Sequence, residues 1–348
     1  MKQSILNLAS LLLVAVALIG CDVHEWPEPH ATVIPLSLSY ETDFYVWEHN
    51  YDPVLGSVEE ADPTLDIFPG YPGTSSKYNN VLSTGVLRIH VKAFPASDPS
   101  RCVVEQTFVR EISGSSYDTN LDLEVPEADE TYNIVIWSDL LEYPEAEPFY
   151  TTTDFSRVRI IPENYTGNTD YRDGYRGKVR VDAATQTNDR QVVSMRRPMG
   201  KFELVTTDLS EFLDQETKQQ GQLVTPDNYR VVISFPMYYP NSYSAIDDFL
   251  ENSSTGVSFE TTMTVTGTSE ASLGFEYVML NDIADGGVQA RVDVYRLKDG
   301  SHVAGSAMFT IPMRRDHHTL LRGAFLAMEG DGGIGIDPGF MGDHNIFW

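Results

Sequence analysis

Short runs that alternate apolar and polar residues recur along most of this chain, and they limit its folds more than any other feature. Ile34-Pro35-Leu36-Ser37-Leu38-Ser39-Tyr40, Leu121-Asp122-Leu123-Glu124-Val125 and Lys178-Val179-Arg180-Val181-Asp182 have period two, and residues 86–91 follow it in part. Period two turns every second side chain to the same face, so each run predicts a strand between a core and water. Residues 131–137 form a nearly continuous apolar run rich in β-branched side chains, which predicts a strand central to its sheet. Turn formers separate the runs at Asp62-Pro63, residues 69–73, Ser113-Gly114-Ser115, Gly167-Asn168 and Asp173-Gly174. Helical pattern is confined to residues 209–213 with the polar run after them, and to one turn at residues 246–250. Many short strands with few helices predict an all-β fold made of sandwiches.

A second series of strand-like runs begins near Lys201 and continues at residues 229–235, 261–265, 274–280, 288–297, 307–311 and 319–326. At Arg196-Arg197-Pro198 proline interrupts two strand-forming stretches. The expected division is therefore an N-terminal sandwich, residues 31–195, and a C-terminal sandwich, residues 196–348.

The N-terminus has a different character. Lys2 is followed by an almost unbroken apolar run over residues 11–19, and Leu18-Ile19-Gly20 leads directly into Cys21. That order is a secretory signal ending in a bacterial lipoprotein box. The small Gly20 suits the peptidase, and the Cys21 thiol is the nucleophile that accepts a diacylglyceryl group. The apolar run is about fifteen residues, short of the ~20 that a spanning helix needs. Residues 1–20 are thus expected to be removed, leaving Cys21 with diacylglycerol and an N-acyl chain. Residues 21–30, with Trp26-Pro27-Glu28-Pro29 at their centre, show no periodicity and read as an extended tether.

The formal net charge is −27, and loss of Lys2 with the signal takes it to −28. Such a surface repels nucleic acid and anionic headgroups, which excludes both as charge-driven partners. No Lys or Arg lies between Lys2 and Lys77, whereas Asp22, Glu25, Glu28, Glu41, Asp43, Glu48, Glu59, Glu60 and Asp66 all do. With Cys21 consumed by lipid, Cys102 has no partner for a disulfide within the chain, and stability rests on burial. Val103 and Val104 beside Cys102 predict a buried structural thiol.

Little in the chain points to catalysis. His317-His318 beside Asp316, and His344 beside Asp343, raise the question of a metal. Adjacent strand residues point to opposite faces and do not readily chelate one ion, so these read as solvated loop or strand-edge residues. Glu329-Gly330-Asp331-Gly332-Gly333 lacks the alternating oxygen ligands of an EF-hand. Glu127, Asp129 and Glu130 are the neighbours an acidic chain produces by chance, with no separation from which to read a glycosidase pair. No phosphate-binding loop, Gly-x-Ser-x-Gly elbow or His-Glu-x-x-His is present. The clusters Phe44-Tyr45-Val46-Trp47 and Met237-Tyr238-Tyr239-Pro240 read as core and loop aromatics before sugar-stacking platforms. No enzymatic activity, metal or cofactor beyond the lipid at Cys21 is expected.

Several stretches carry a family resemblance in order. They are Cys21-Asp22-Val23-His24-Glu25-Trp26-Pro27, Ile134-Val135-Ile136-Trp137-Ser138-Asp139, Tyr171-Arg172-Asp173-Gly174-Tyr175-Arg176-Gly177, the run from Arg197-Pro198-Met199-Gly200 to Leu209, Phe235-Pro236-Met237-Tyr238-Tyr239-Pro240, and Gly332-Gly333-Ile334-Gly335-Ile336-Asp337-Pro338-Gly339-Phe340. Together they resemble the FimB-like and minor-fimbria anchor lipoproteins of Bacteroidetes-type bacteria over nearly the whole mature chain. The resemblance implies two tandem transthyretin-like β-sandwich domains after the lipoprotein signal and short linker. It implies a lipid-anchored, surface-exposed place on the outer membrane, a fimbrillin-like stalk subunit as partner, and a part in limiting fimbrial length.

The resemblance also implies assembly by strand exchange, in which an Arg- or Lys-specific protease frees a stalk subunit's groove by removing its first strand. Residues 21–76 offer such a protease no site, so the strand near residues 33–40 is expected to stay attached and fill its own groove. Contact with the polymer then needs another surface, for which Ile334, Ile336, Ile346, Phe347 and Trp348 are the candidates. That this end instead closes its own sandwich remains an open alternative. So does a different function on the same architecture, a glycan-binding surface lipoprotein beside an outer-membrane nutrient transporter.

Overall fold

The computed structural model describes residues 31–61, 76–186, 189–281 and 286–326. In chain order its strands begin with β1 (Thr32–Tyr40), β2 (Asp43–Asp52), β3 (Ser57–Glu60), β4 (Lys77–Asn79), β5 (Val86–Pro95) and β6 (Val104–Glu111). Next come β7 (Thr119–Val125), β8 (Thr131–Leu141), β9 (Tyr150–Thr151), β10 (Val158–Ile160), β11 (Gly174–Asp182) and β12 (Gln191–Met195). The second half opens with β13 (Met199–Thr206), the helix α1 (Leu209–Gln220), β14 (Tyr229–Phe235), β15 (Tyr239–Ser244) and β16 (Phe249–Ser254). It continues through β17 (Val257–Thr261), β18 (Thr264–Val265), β19 (Ala271–Met279), β20 (Gly286–Arg296), β21 (His302–Gly305), β22 (Phe309–Met313) and β23 (His317–Gly323).

The fold is all-β, in sandwich layers. In the first lobe the three-stranded sheet β12-β1-β7 covers the four-stranded sheet β11-β8-β5-β6. Ile34, Leu36 and Leu38 of β1 meet Ile89, Leu121 and Ile134 in its core, while Val33 and Ser39 face outward, as the alternation requires. β8 is apolar without interruption from Ile134 to Trp137 because both its faces are covered there. Ile134 and Ile136 enter this core, and Val135 and Trp137 enter the second one on the opposite side.

The second lobe sets a seven-stranded sheet, β18-β19-β13-β23-β2-β3 with β4 on β2, against β17-β14-β20-β21 with β22 on β20. Phe202, Leu204, Ile233, Phe235, Val292 and Leu321 fill the space between. α1 begins where expected, docks through Leu209 and Phe212, and ends at Gly221, whose φ of 67° no other residue type adopts as freely. The single turn expected at residues 246–250 ends at Asp248, and β16 begins at Phe249. The Asp248 N–H reaches the Ser244 carbonyl at 2.9 Å, and a φ of 65° at Asp248 stops it from propagating.

The lobes interleave along the chain, which departs from the expected consecutive division. β2, β3 and β4 lie within residues 31–195 yet belong to the second lobe's large sheet, where β2 runs parallel to β23 with Trp47 opposite Thr319. β9 and β10 likewise pair with β15 and β16 in a sheet of their own. Alternation fixes the buried face of a strand and leaves its neighbour unspecified, so neither exchange has a sequence signature. The 196–198 connection does separate β12 from β13.

Two side chains also depart from expectation. Cys102 is exposed, not buried, because it falls in the loop between β5 and β6, where alternation has no face to define. The histidine pair does split across a strand, but β23 lies inside its sheet rather than at an edge. His317 stacks on Tyr45 with ring centroids 5.4 Å apart, while His318 is buried with its Nδ1 2.9 Å from Tyr78 Oη. Among the described residues no group of His, Cys, Asp or Glu is arranged to hold a metal ion.

His49 of β2 is 5% exposed and meets the edge of Trp47 at 4.4 Å. Burial pushes its imidazole down to about 4, with Glu60 opposing and Arg314 adding to the shift. A histidine depressed on folding favours the fold fully above its unfolded value, and that stability is lost as pH falls toward the folded one. A proton-detected NMR titration is expected to find His49 neutral at pH 5; a charged imidazole there would refute its burial.

Candidate functional site

The first strand is the natural place to begin, because everything N-terminal to it joins the body there. β1 is bonded along both edges, antiparallel to β7 and parallel to β12, with Leu36 opposite Leu121 on one side and Gln191 on the other. Arg190 clamps it: one guanidinium nitrogen donates to the Leu36 carbonyl at 3.2 Å, the Leu121 carbonyl at 3.0 Å and Asp122 at 2.9 Å. At the far end the Tyr40 N–H donates to Asp118 at 2.7 Å, and its ring packs edge-on against Tyr117 and Tyr175.

Two residues later the chain is in the other lobe. Glu41 and Thr42 bridge β1 to β2, and Arg197 from the 196–198 connection reads their backbone. Its guanidinium donates to the carbonyls of Glu41 (3.2 Å), Thr42 (2.8 Å) and Asp43 (3.0 Å), and to both carboxylate oxygens of Asp173 at 2.9 Å. Arg197 and Asp173 side chains are fully buried, and the Phe44 ring lies 4.0 Å from the guanidinium carbon. Burial raises the Asp173 carboxyl, and the Arg197 charge pulls it back. A buried pair with every donor aimed fixes geometry more than it adds stability.

A second buried pair joins the lobes beside it. Arg172, in the turn before β11, donates to Glu276 of β19 at 2.6 Å, with both side chains at 0% exposure. Arg172 also donates to the Thr166 carbonyl and lies over the Tyr165 ring, while its Nε and Nη2 have no hydrogen-bond partner among the described residues. Burial pushes the Glu276 carboxyl up to about 7 against the opposing Arg172 charge.

Of the residues singled out in the sequence, Gly20 and Cys21 and the C-terminal set Ile334, Ile336, Ile346, Phe347 and Trp348 lie outside the described residues. Arg172, Asp173 and Arg197 entered the sequence reading within the stretches carrying the resemblance, Arg197 also at the expected boundary, and Glu276 only within a strand-like run, none of them with a role in a site. A signal was present: eight of the chain's 24 Lys and Arg residues fall between Arg172 and Lys201. Arg172, Arg197 and Lys201 of that cluster are buried.

Residues 66–347 match the family model described as a family of unknown function, DUF6562. No curated protein matches the chain. Among solved structures it is similar to the fimbrial anchor protein Mfa2 from Porphyromonas gingivalis, at 12% identity and TM-score 0.36, over 78% of this chain and 82% of that one. It is also similar to a fimbrial assembly protein from Parabacteroides distasonis, at 12% identity and TM-score 0.40, over 86% and 94% of the two chains. Scores this low carry no argument about function.

Proposed function

The chain belongs to the DUF6562 family, and for it we propose the role of an outer-membrane lipoprotein that anchors a fimbrium at the cell surface. Lipid at Cys21 holds the membrane end, residues 21–30 form the tether, and a strand-mediated contact with a fimbrillin-like stalk subunit holds the polymer and limits its length. The reading is supported by the lipoprotein box and by the ordered sequence stretches that resemble anchor lipoproteins.

The observation that carries it is the seating of β1. A subunit meant to accept a neighbour's strand must lose its own, whereas β1 is bonded along both edges and clamped by Arg190. With no Lys or Arg between Lys2 and Lys77, a protease of that specificity has nowhere to cut before it. Retention of β1 keeps the body joined to Cys21, as an anchor requires.

Mild crosslinking in the native outer membrane, followed by affinity capture and mass spectrometry, tests the role. Fimbrillin-like subunits are expected, and Cys21→Ser is expected to release them from the membrane with the protein. Capture of a transporter complex without fimbrial subunits would overturn the reading in favour of glycan uptake.

A further inference from the structure

The turn between β2 and β3 departs from ordinary turn chemistry. Gly, Asn, Asp, Ser and Pro dominate such turns, yet Val54 and Leu55 stand in the middle of this one, 88% and 76% exposed. Neither side chain serves the core, although the turn around them is firmly built. One Asp52 carboxylate oxygen accepts from the Val54 N–H at 2.8 Å and the Leu55 N–H at 3.1 Å. The Gly56 N–H donates to the Asp52 carbonyl at 2.8 Å, and Gly56 closes the turn with a φ of 64°.

The turn lies against the loop between β21 and β22, where a Cβ on Gly56 would stand 3.8 Å from Ala307 Cβ. That loop adds Met308, 50% exposed, so three large apolar side chains share one tip of the second lobe. Behind them Tyr51 stacks on Phe325 at 4.6 Å and meets Phe309 at 4.9 Å, which gives the tip a packed base. A groove of about 410 Å³ runs alongside, lined in part by Tyr51, Asp52, Pro53 and Glu59. Charge around the tip has one sign. Asp52, Glu59 and Glu60 are exposed, while residues 305–309 and 323–326 carry no charge. β2 also carries the tip away from the joint: Asp43 at its start is gripped by Arg197, and ten residues at about 3.3 Å each set Asp52 ~30 Å farther along.

We propose that this tip seats in an apolar pocket of the fimbrillin-like stalk subunit, a pocket whose rim carries Lys and Arg. The inference rests on the anchor reading and deepens it, adding a turn contact to the strand-mediated one. The exposed apolar side chains gain from desolvation, the acidic rim selects a basic one, and a turn already held in one conformation loses little entropy on docking. One sign of charge also turns away a second copy placed tip to tip and an anionic lipid surface.

The probe is the fimbrillin-like subunit recovered in the crosslinking experiment, purified and titrated onto the intact lipidated protein. Val54→Ser with Leu55→Ser is expected to weaken its binding at least about tenfold while leaving the melting temperature unchanged, since both positions are exposed. Leu55→Ser alone serves as a milder variant should the pair perturb the fold. Glu59→Gln with Glu60→Gln is expected to weaken binding at low salt and to flatten its salt dependence. A benzoylphenylalanine photo-crosslinker in place of Leu55 should form an adduct with the subunit, and one in place of Val192 on the first lobe should not. Unchanged affinity in the folded variants would overturn the docking site and leave the anchor role standing. So would an adduct from position 55 to its own chain, to a second copy or to lipid instead of the subunit. Recovery of no fimbrillin-like subunit at all would remove the anchor reading, and this proposal with it.

Discussion

Arg172→Met is expected to lower folding stability by about 3–5 kcal/mol, because it strands Glu276 in a dry seam between the lobes. Arg172→Met with Glu276→Gln is expected to recover most of that loss, since the cost lies in the buried carboxyl left without its partner rather than in the missing contact. The penalty should also depend on pH in a definite direction. A carboxyl raised on folding favours the fold below its unfolded value and loses that stability as pH climbs through the folded one, here about 7. Without Arg172 the folded value rises further, so the single variant's deficit should be about 1 kcal/mol larger at pH 8 than at pH 5. Urea denaturation of both variants at both pH values measures this. Equal deficits at the two pH values would mean that Glu276 does not titrate with the fold.

The second large effect concerns β1. Deleting residues 31–40 is expected to unfold the first lobe, because Ile34, Leu36 and Leu38 are fully buried and Tyr40 is 8% exposed. At about 1.5–3 kcal/mol each, these four side chains contribute about 6–12 kcal/mol, which rivals the ~5–15 kcal/mol that keeps a whole domain folded. A synthetic peptide of residues 31–41 should restore the fold when added to the truncated protein, and the same peptide with Leu36→Asp should not. Near-UV circular dichroism reports the outcome. A truncated protein that melts like the intact one would show β1 to be an appendage and would remove the main support for an anchor.

Both predictions rest on features that differ in how legible they were. β1, β7 and the inner face of β8 follow from alternation and continuous apolar runs, since one covered face demands period two and two covered faces demand none. Partner choice was not legible. β2 has the same pattern whether it pairs in the first lobe or, as it does, beside β23 in the second. Beyond the local crowding of cations, Arg172, Arg197 and Glu276 were not legible as a site, because a buried ion pair joins residues far apart in sequence and leaves no periodic trace. Cys102 misled because its valine neighbours flank a loop.

The two-residue crossing from β1 to β2 has a mechanical consequence. Load applied ahead of Thr32 enters along the axis of β1, where hydrogen bonds to β7 take it from Thr32 and those to β12 join from Leu36. It then passes through Glu41 and Thr42, gripped by Arg197, straight into the large sheet of the second lobe, without traversing the other strands of the first. Under tension the joint acts as a lap splice, loaded along its whole length, rather than as a seam that peels from one end.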